Sequence, residues 1–464
     1  MSPSLDKMFF RQIYIPGLSQ FSYFLESEGE AIVIDPIREP YMYLDLAKER
    51  NAKIKYVLET HIHADFVSGH QEIAERSGAT IVYGPNARTA YPIYMARNNE
   101  AIAFGSFYLK VLHTPGHSIE STCYVLYDEN HKPTAIFTGD TLFAGDVGRP
   151  DLMSGNKSIY ELTQMLFDSL GILKSLPDDL VVYPGHGAGS DCGKNISDEK
   201  FTTIGEQKQK NYAMRATDID SFRKAVSSDL TMPPEYFFKN MSINIMGYRP
   251  LEDVLKKNMN PLSPEEFNSE ITRAILLDTR DPEVFAKAHI SGAINIGLNG
   301  FFAPWVGKLI DMDHPVIVVA DAEMDKESIT RLARIGLENV RGYLEGGMTA
   351  WMNSNLPTEQ IEIIDTEKFL TVISDNSHIV VDCRKKREFV KVHLKNNLNI
   401  PLEDFQNRIT EFDKDKKYIL VCKTGYLSMI ASSILRKNGV RQVQVLKGGI
   451  EGLRNVKDVF TMEV

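Results

Sequence analysis

The sequence predicts an α/β protein of about three domains, and three observations carry that expectation. The chain has 464 residues, which at roughly 150 residues per domain leaves room for three cores. Strand-like and helix-like stretches alternate along it, the pattern of sheets flanked by helices. The second half states one plan twice, in LLDTRDPEVFAKAHISGAINI from Leu276 and IVVDCRKKREFVKVHLKNNLNIPL from Ile379.

Composition narrows the class. Hydrophobic residues at 43% and charged residues at 25% exclude a disordered polymer. No apolar run approaches the roughly 18 residues of a membrane span, so no membrane role is expected. The balance of 52 basic and 62 acidic side chains gives −10, which disfavours nucleic acid as a partner. Cys123, Cys192, Cys383 and Cys422 are far apart and form no C-x-x-C pair, which excludes a zinc ribbon and a disulfide framework and favours a reducing compartment. The amino-terminal MSPSLDKMFFRQIYIPGLSQ lacks a leader pattern, so a cytoplasmic location is expected.

The elements follow in order. FFRQIYI, SYFLES and EAIVIDP read as strands, MYLDLAKER as a helix and IKYVLET as a strand, after which a histidine-rich turn begins. The stretch from Pro233 to Pro261 mixes prolines, methionines and scattered polar groups and reads as a linker. The expected domains are 1–250, 251–357 and 358–464. Ser263-Pro264-Glu265-Glu266 is a capping box with proline at the first helical position, and Asp365 caps the corresponding helix of the second repeat. Asp278 and Asp382, Arg280 and Arg384, and His289 and His393 are each 104 positions apart. Buried-type strands such as VIVVA, ending at Ala320, and YILVC, ending at Cys422, alternate with ESITRLARIG and SMIASSILRKNG, which predicts parallel sheets.

Chemistry concentrates in the first domain. THIHADFVSGH offers His61, His63 and Asp65; TPGH brings His117, TGD brings Asp140 and YPGHGAGSDCGK brings His186. Each follows an apolar stretch, so the side chains are expected to converge at one end of a sandwich, and imidazole with carboxylate suits zinc or iron. Glycine and proline beside His117 and His186 also fit ordinary turns, but an ordered series of such residues outweighs that explanation.

This series, over about residues 8 to 215, resembles the H-x-H-x-D-H motif and later ligands of the metallo-β-lactamase superfamily, which implies an αββα sandwich. Phe66 stands where dinuclear hydrolases of that superfamily carry a histidine, and it cannot bind a metal. The remaining set, His61, His117 and Asp140, is two histidines and one carboxylate, as non-heme Fe(II) oxygenases use. His63, Asp65 and His186 become neighbouring hydrogen-bonding groups. The pattern is most similar to persulfide dioxygenases, a resemblance that implies one Fe(II) per chain, a low-molecular-weight thiol persulfide and O2 as substrates, and sulfite and thiol as products. DVGRPDL resembles a segment of theirs, and its Arg149 is implied to hold the glutathione portion, as the two-point fork of a guanidinium can. Cys192 could relay sulfur or simply pack; Cys123, Cys383, His70 and His113 are expected to be structural.

The two repeats resemble rhodanese domains, which move sulfane sulfur on a cysteine at the end of a strand. Cys422 holds that place in the second, and the resemblance carries Lys423, Gly425 and Ser428 over as groups of its substrate loop, which with the following helix can cradle an anion. Leu427 replaces the second loop arginine of the common pattern, which weakens a two-point clamp on anionic donors such as thiosulfate. The first repeat has Ala320 at the cysteine position and is expected to be catalytically silent. The whole chain thus resembles bifunctional enzymes that couple persulfide oxidation to sulfur transfer giving thiosulfate. A glyoxalase II-like zinc thioester hydrolase and a non-enzymatic sulfur-carrier or persulfide-sensing scaffold are the alternatives, and homo-oligomerisation is left open.

Overall fold

The computed structural model describes residues 7–152, 157–228, 230, 232–374, 377–456 and 459–461; the first six residues of the segment read for a leader lie outside them. The chain divides into two compact units, Met1–Leu251 with Ala333–Gly336, and Glu252–Leu332 with Leu337–Val464.

The first unit is a sandwich of two six-stranded sheets. Alternation along the strands decides what each face meets. In strand Thr122–Tyr127, Tyr124 and Leu126 point into the core between the sheets with Phe21, Tyr23, Ile32 and Phe137. Cys123 and Val125 point the other way, onto Leu166, Leu170 and Leu173 of helix Ile159–Lys174 and Phe222 of helix Ile219–Ser227. Helices Tyr41–Glu49 and His70–Ser77 pack beside strand Lys53–Leu58 of the other sheet. The αββα layering expected from the sequence is therefore present. No helix among the described residues is long and apolar enough to cross a membrane.

One expectation needs correction. The stretch 233–261 is not an open linker, for it holds helices Glu235–Met246 and Leu251–Asn258. Tyr236, Phe237, Asn240 and Asn244 of the first are buried. The Asn244 amide donates to His63 O and Phe66 O, both at 2.8 Å, and its oxygen accepts from Ser68 N at 2.9 Å. Those bonds anchor the loop that carries the histidine motif.

The second unit holds the two repeats, each a five-stranded sheet whose paired strands run parallel. The repeated residues are structural. In the first repeat the Arg280 fork binds Asp278 and Asn295 braces the carbonyls of Asp278 and Arg280; Arg384, Asp382 and Asn399 do the same in the second. His289 stacks on Phe285 at 4.0 Å and His393 on Phe389 at 4.1 Å, each with Nδ1 against the carbonyl of the residue it stacks on. Ser263 forms the predicted capping box, and Asp365 accepts from Lys368 N. Helix Tyr426–Lys437 of the second repeat leans on the first: Met429 enters the core of Phe267, Ile317 and Trp351, Ser433 Oγ accepts from Asn295 N at 3.0 Å, and Tyr426 Oη donates to Gly297 O at 2.9 Å. A Cβ on Gly300 would lie 2.4 Å from the Tyr426 ring, so that loop fits the tyrosine only as glycine.

Candidate functional site

Asp35, Glu59 and Asp140 immediately follow strands Glu30–Ile34, Lys53–Leu58 and Pro133–Gly139, and His186 lies two residues past strand Val181–Pro184. Rigid strand ends thus deliver polar groups to one rim. His61, His117 and Asp140 bring one potential ligand atom each within 4.8 Å of one another, all buried. Nε2 of His61 lies 3.8 Å and Nε2 of His117 3.6 Å from Asp140 Oδ2, an oxygen with no hydrogen-bond partner. A buried, unpartnered carboxylate oxygen between two imidazole edges fits a cation.

The hydrogen bonds around these groups fix which nitrogen faces inward. His117 Nδ1 is 3.0 Å from Arg149 O, which can only accept, so Nδ1 carries the proton and Nε2 keeps its lone pair. Thr60 Oγ1 donates to Asp35 Oδ2 at 2.8 Å and stands 3.0 Å from His61 Nδ1, so it accepts from that nitrogen and leaves His61 Nε2 free as well. Burial, together with positive charge at His63, pushes His61 below the usual histidine range and keeps it neutral. Burial opposes charge on Asp140 too, but the positive charge on His186 outweighs it and holds the carboxyl well below the usual range.

Backbone must come close here. A Cβ on Gly148 would lie 2.1 Å from Asp140 O and 2.8 Å from His117 Nδ1, and one on Gly185 2.5 Å from Asp140 Oδ1. Glycine at both positions is what the approach requires.

The other motif residues divide. His63 turns away from Asp140, with Nε2 3.2 Å from Asp35 Oδ1 and 3.1 Å from Glu59 Oε2. Burial disfavours its charge, yet the two carboxylates raise it well above the usual histidine range. His70 Nδ1 joins Glu59 at 3.0 Å and its Nε2 meets Tyr91 Oη at 2.7 Å, while His113 bonds Ile119 O. His186 bridges two carboxylates, Nδ1 to Asp140 Oδ1 at 2.9 Å and Nε2 to Asp65 Oδ2 at 2.8 Å; burial works against its charge, but the pair raises it to about 10. Phe66 is fully buried against the His63 ring. Cys192 lies beside the centre, forming a second possible ligand group with Asp65 and His186; burial, then Asp65 and Asp140, push its thiol up. Arg149 is buried and its fork is engaged by Asp151, at 2.8 and 2.7 Å, so a substrate carboxylate would have to displace that partner.

Asp35, Glu59, Thr60 and Asn244 are contributors that sequence reasoning missed, and Glu59, like Asp35, directly follows a strand. Asp35 sits in IDP at a strand end, the same signal that marked Asp140; nothing local singles out Thr60 or Asn244.

In the second unit Cys422 directly follows strand Tyr418–Val421 and is buried. Its Sγ accepts from Gly425 N at 3.1 Å and lies 3.5 Å from Ser428 Oγ. Gly425 takes φ +112° as the residue before helix Tyr426–Lys437, whose amino end therefore faces the sulfur. Lys423 is exposed, 3.9 Å from Glu451. Ala320 is buried at the equivalent place in the first repeat.

Comparison with known proteins agrees with this architecture. Residues 15–186 match the metallo-beta-lactamase superfamily, and 263–354 and 365–455 each match the rhodanese-like domain. The chain belongs to the metallo-beta-lactamase superfamily and carries two rhodanese-like domains after that fold. It is 30% identical to a probable hydroxyacylglutathione hydrolase, glo2, of Schizosaccharomyces pombe over 45% of this chain and 88% of that one. A metallo-beta-lactamase from Staphylococcus aureus is 33% identical with a TM-score of 0.64, covering 73% of this chain and 98% of its own. ETHE1 from Myxococcus xanthus is 28% identical with a TM-score of 0.44, over 51% of this chain and 99% of its own.

Proposed function

We propose that the first unit is a mononuclear Fe(II) persulfide dioxygenase and that Cys422 is the sulfur carrier of a coupled transferase. The observation that carries the reading is the contrast between the two groups of ligands. His61 and His117 offer free Nε2 atoms beside an unpartnered Asp140 oxygen, whereas both nitrogens of His186 are taken by carboxylates and Phe66 offers nothing. One ion held by His61, His117 and Asp140 keeps positions open for substrates, and Fe(II) there supplies the O2 chemistry that side chains lack.

The chain's own groups do the rest. The buried rim excludes water, and the positive charge on His186 offsets part of the negative charge of Asp65 and Asp140 beside the site. The overall conversion is RSSH + O2 + H2O → RSH + SO3²⁻ + 2H⁺. At the second site, sulfane sulfur on Cys422 passes to sulfite: Cys422–SSH + SO3²⁻ → Cys422–SH + S2O3²⁻. Gly425 N–H donates to Cys422 Sγ and the amino end of helix Tyr426–Lys437 begins one residue further on, a positive setting that supports an approaching anion.

Likeness to a hydroxyacylglutathione hydrolase supports a second reading, thioester hydrolysis at a zinc pair completed by Asp65, His186 and Cys192. Anaerobically purified protein decides between them. The proposal expects one iron per chain and O2 uptake with glutathione persulfide; two tightly held zinc ions with S-lactoylglutathione hydrolysis would overturn it.

A further inference from the structure

The catalytic repeat contains a second thiol that the transfer step does not use. Strands Ile379–Asp382 and Tyr418–Val421 run parallel with Asp382 opposite Val421, and Cys383 N continues the ladder by donating to Val421 O at 2.9 Å. Cys383 is therefore opposite Cys422, one position beyond the last strand pair. Successive side chains alternate faces, so the two thiols share a face of the sheet. Neighbouring strands lie about 4.8 Å apart, inside the Cα separation of about 4.4–6.8 Å that a disulfide spans. Both cysteines are 1% exposed. Among the described residues the Cys383 sulfur makes one hydrogen bond, a long one of 3.9 Å to Val381 O. At the same two places the first repeat has Thr279, whose N donates to Val319 O at 2.8 Å, and Ala320. The repeat without a carrier cysteine thus lacks its opposite thiol as well.

We propose that Cys383 is a resolving thiol for sulfur loaded on Cys422. This rests on the reading of Cys422 as a sulfur carrier. The Cys383 sulfur attacks Sγ of Cys422–S–SH; a Cys383–Cys422 bond forms, the bond from Cys422 to the sulfane sulfur breaks, and that sulfur leaves as hydrosulfide. The balance is Cys422–SSH + Cys383–SH → Cys383–SS–Cys422 + H2S: the outer sulfur takes up the electron pair and is reduced to sulfide, the Cys383 sulfur is oxidised to the disulfide level that Cys422 Sγ already holds, and the Cys383 proton leaves with the sulfide. No external oxidant is required. Burial, then the neighbouring Cys422 and Asp382, push the Cys383 thiol up, so the exchange runs slower than transfer to an acceptor that is present. The pair therefore discharges the carrier when sulfite is scarce and holds the loop oxidised until a low-molecular-weight thiol reduces it.

The test uses full-length protein without O2 and without sulfite, treated with glutathione persulfide, alkylated and mapped by mass spectrometry. Wild type is expected to yield the Cys383–Cys422 cross-linked peptide and about one equivalent of hydrosulfide per chain, and Cys383→Ala to keep the extra sulfur on Cys422 with hydrosulfide release down about tenfold or more. Cys383→Thr, which copies the first repeat, is expected to match Cys383→Ala and guards against a folding defect in either variant. Stable persulfide on wild-type Cys422 with Cys383 alkylated, or equal hydrosulfide release from wild type and variants, overturns the resolving role while leaving the carrier intact. Absence of added sulfur on Cys422 in both variants overturns the carrier reading, and the resolving role with it.

Discussion

Replacing Thr60 with valine tests whether the Asp35–Thr60–His61 chain sets the metal affinity. The hydroxyl donates to Asp35 at 2.8 Å and receives His61 Nδ1 at 3.0 Å. Valine keeps the branched shape and removes the acceptor. In a ring only 2% exposed, an orphaned Nδ1–H costs about 1–3 kcal/mol, so the proton moves to Nε2, the atom that must bind the metal. Losses of this kind weaken metal binding about 10- to 100-fold, or about 1.4–2.7 kcal/mol. Thr60→Ser keeps the hydroxyl and should stay close to wild type. Anaerobic competition for Fe(II) against a chromogenic chelator measures both, with thermal unfolding of the apoproteins as a control for folding. Valine affinity within about twofold of wild type, or serine as weak as valine, would refute a tautomer set through Thr60.

His117→Ala leaves two ligands and should lose both bound iron and O2 uptake, read by elemental analysis and an oxygen electrode. Gly148→Ala should lower stability by about 1–3 kcal/mol and release metal, because its Cβ would press on Asp140 O and His117; a calorimetric midpoint equal to wild type would contradict that contact. Cys422→Ser leaves His61, His117 and Asp140 untouched, so under the proposed function O2 uptake should persist while chromatography finds sulfite in place of thiosulfate; an unchanged thiosulfate fraction would remove Cys422 as carrier. Burial lowers His289 to about 4 from 6.5, so the folded protein binds fewer protons than the unfolded chain between those values. Its contribution is present above pH 6.5 and is lost as pH falls toward 4, a drop on the order of 3 kcal/mol that denaturant titration should show in wild type and not in His289→Asn.

Much of this was legible in the sequence because the signals are local. The strand reading of FFRQIYI and EAIVIDP matches Phe9–Ile15 and Glu30–Ile34, since a short run of β-branched and aromatic residues is a strand signal carried by neighbouring positions. The grouping of His61, His117 and Asp140 could be anticipated because strand ends converge on one rim. Asn244 could not, because its bonds to His63 and Phe66 span about 180 positions and its segment, rich in proline and methionine, looked unstructured. Tertiary burial of Tyr236 and Phe237 made a helix where local propensity indicated a spacer. Arg149 was read for its fork, but which carboxylate fills a fork depends on the turn that brings Asp151 back to it.

The contacts of helix Tyr426–Lys437 give the first repeat a reason to persist without a nucleophile. Met429 needs its core, Ser433 holds the edge of its sheet, and Tyr426, four residues beyond the carrier sulfur, is moored at Gly297. A fragment cut at the repeat boundary would contain every residue of the Cys422 loop and still leave one flank of its helix bare. A side chain added at Gly300 would press on the Tyr426 ring and so on the first turn of the helix that follows Cys422. The first repeat is the abutment of the second: the place of the Cys422 loop is set in part by residues that lie in the other copy.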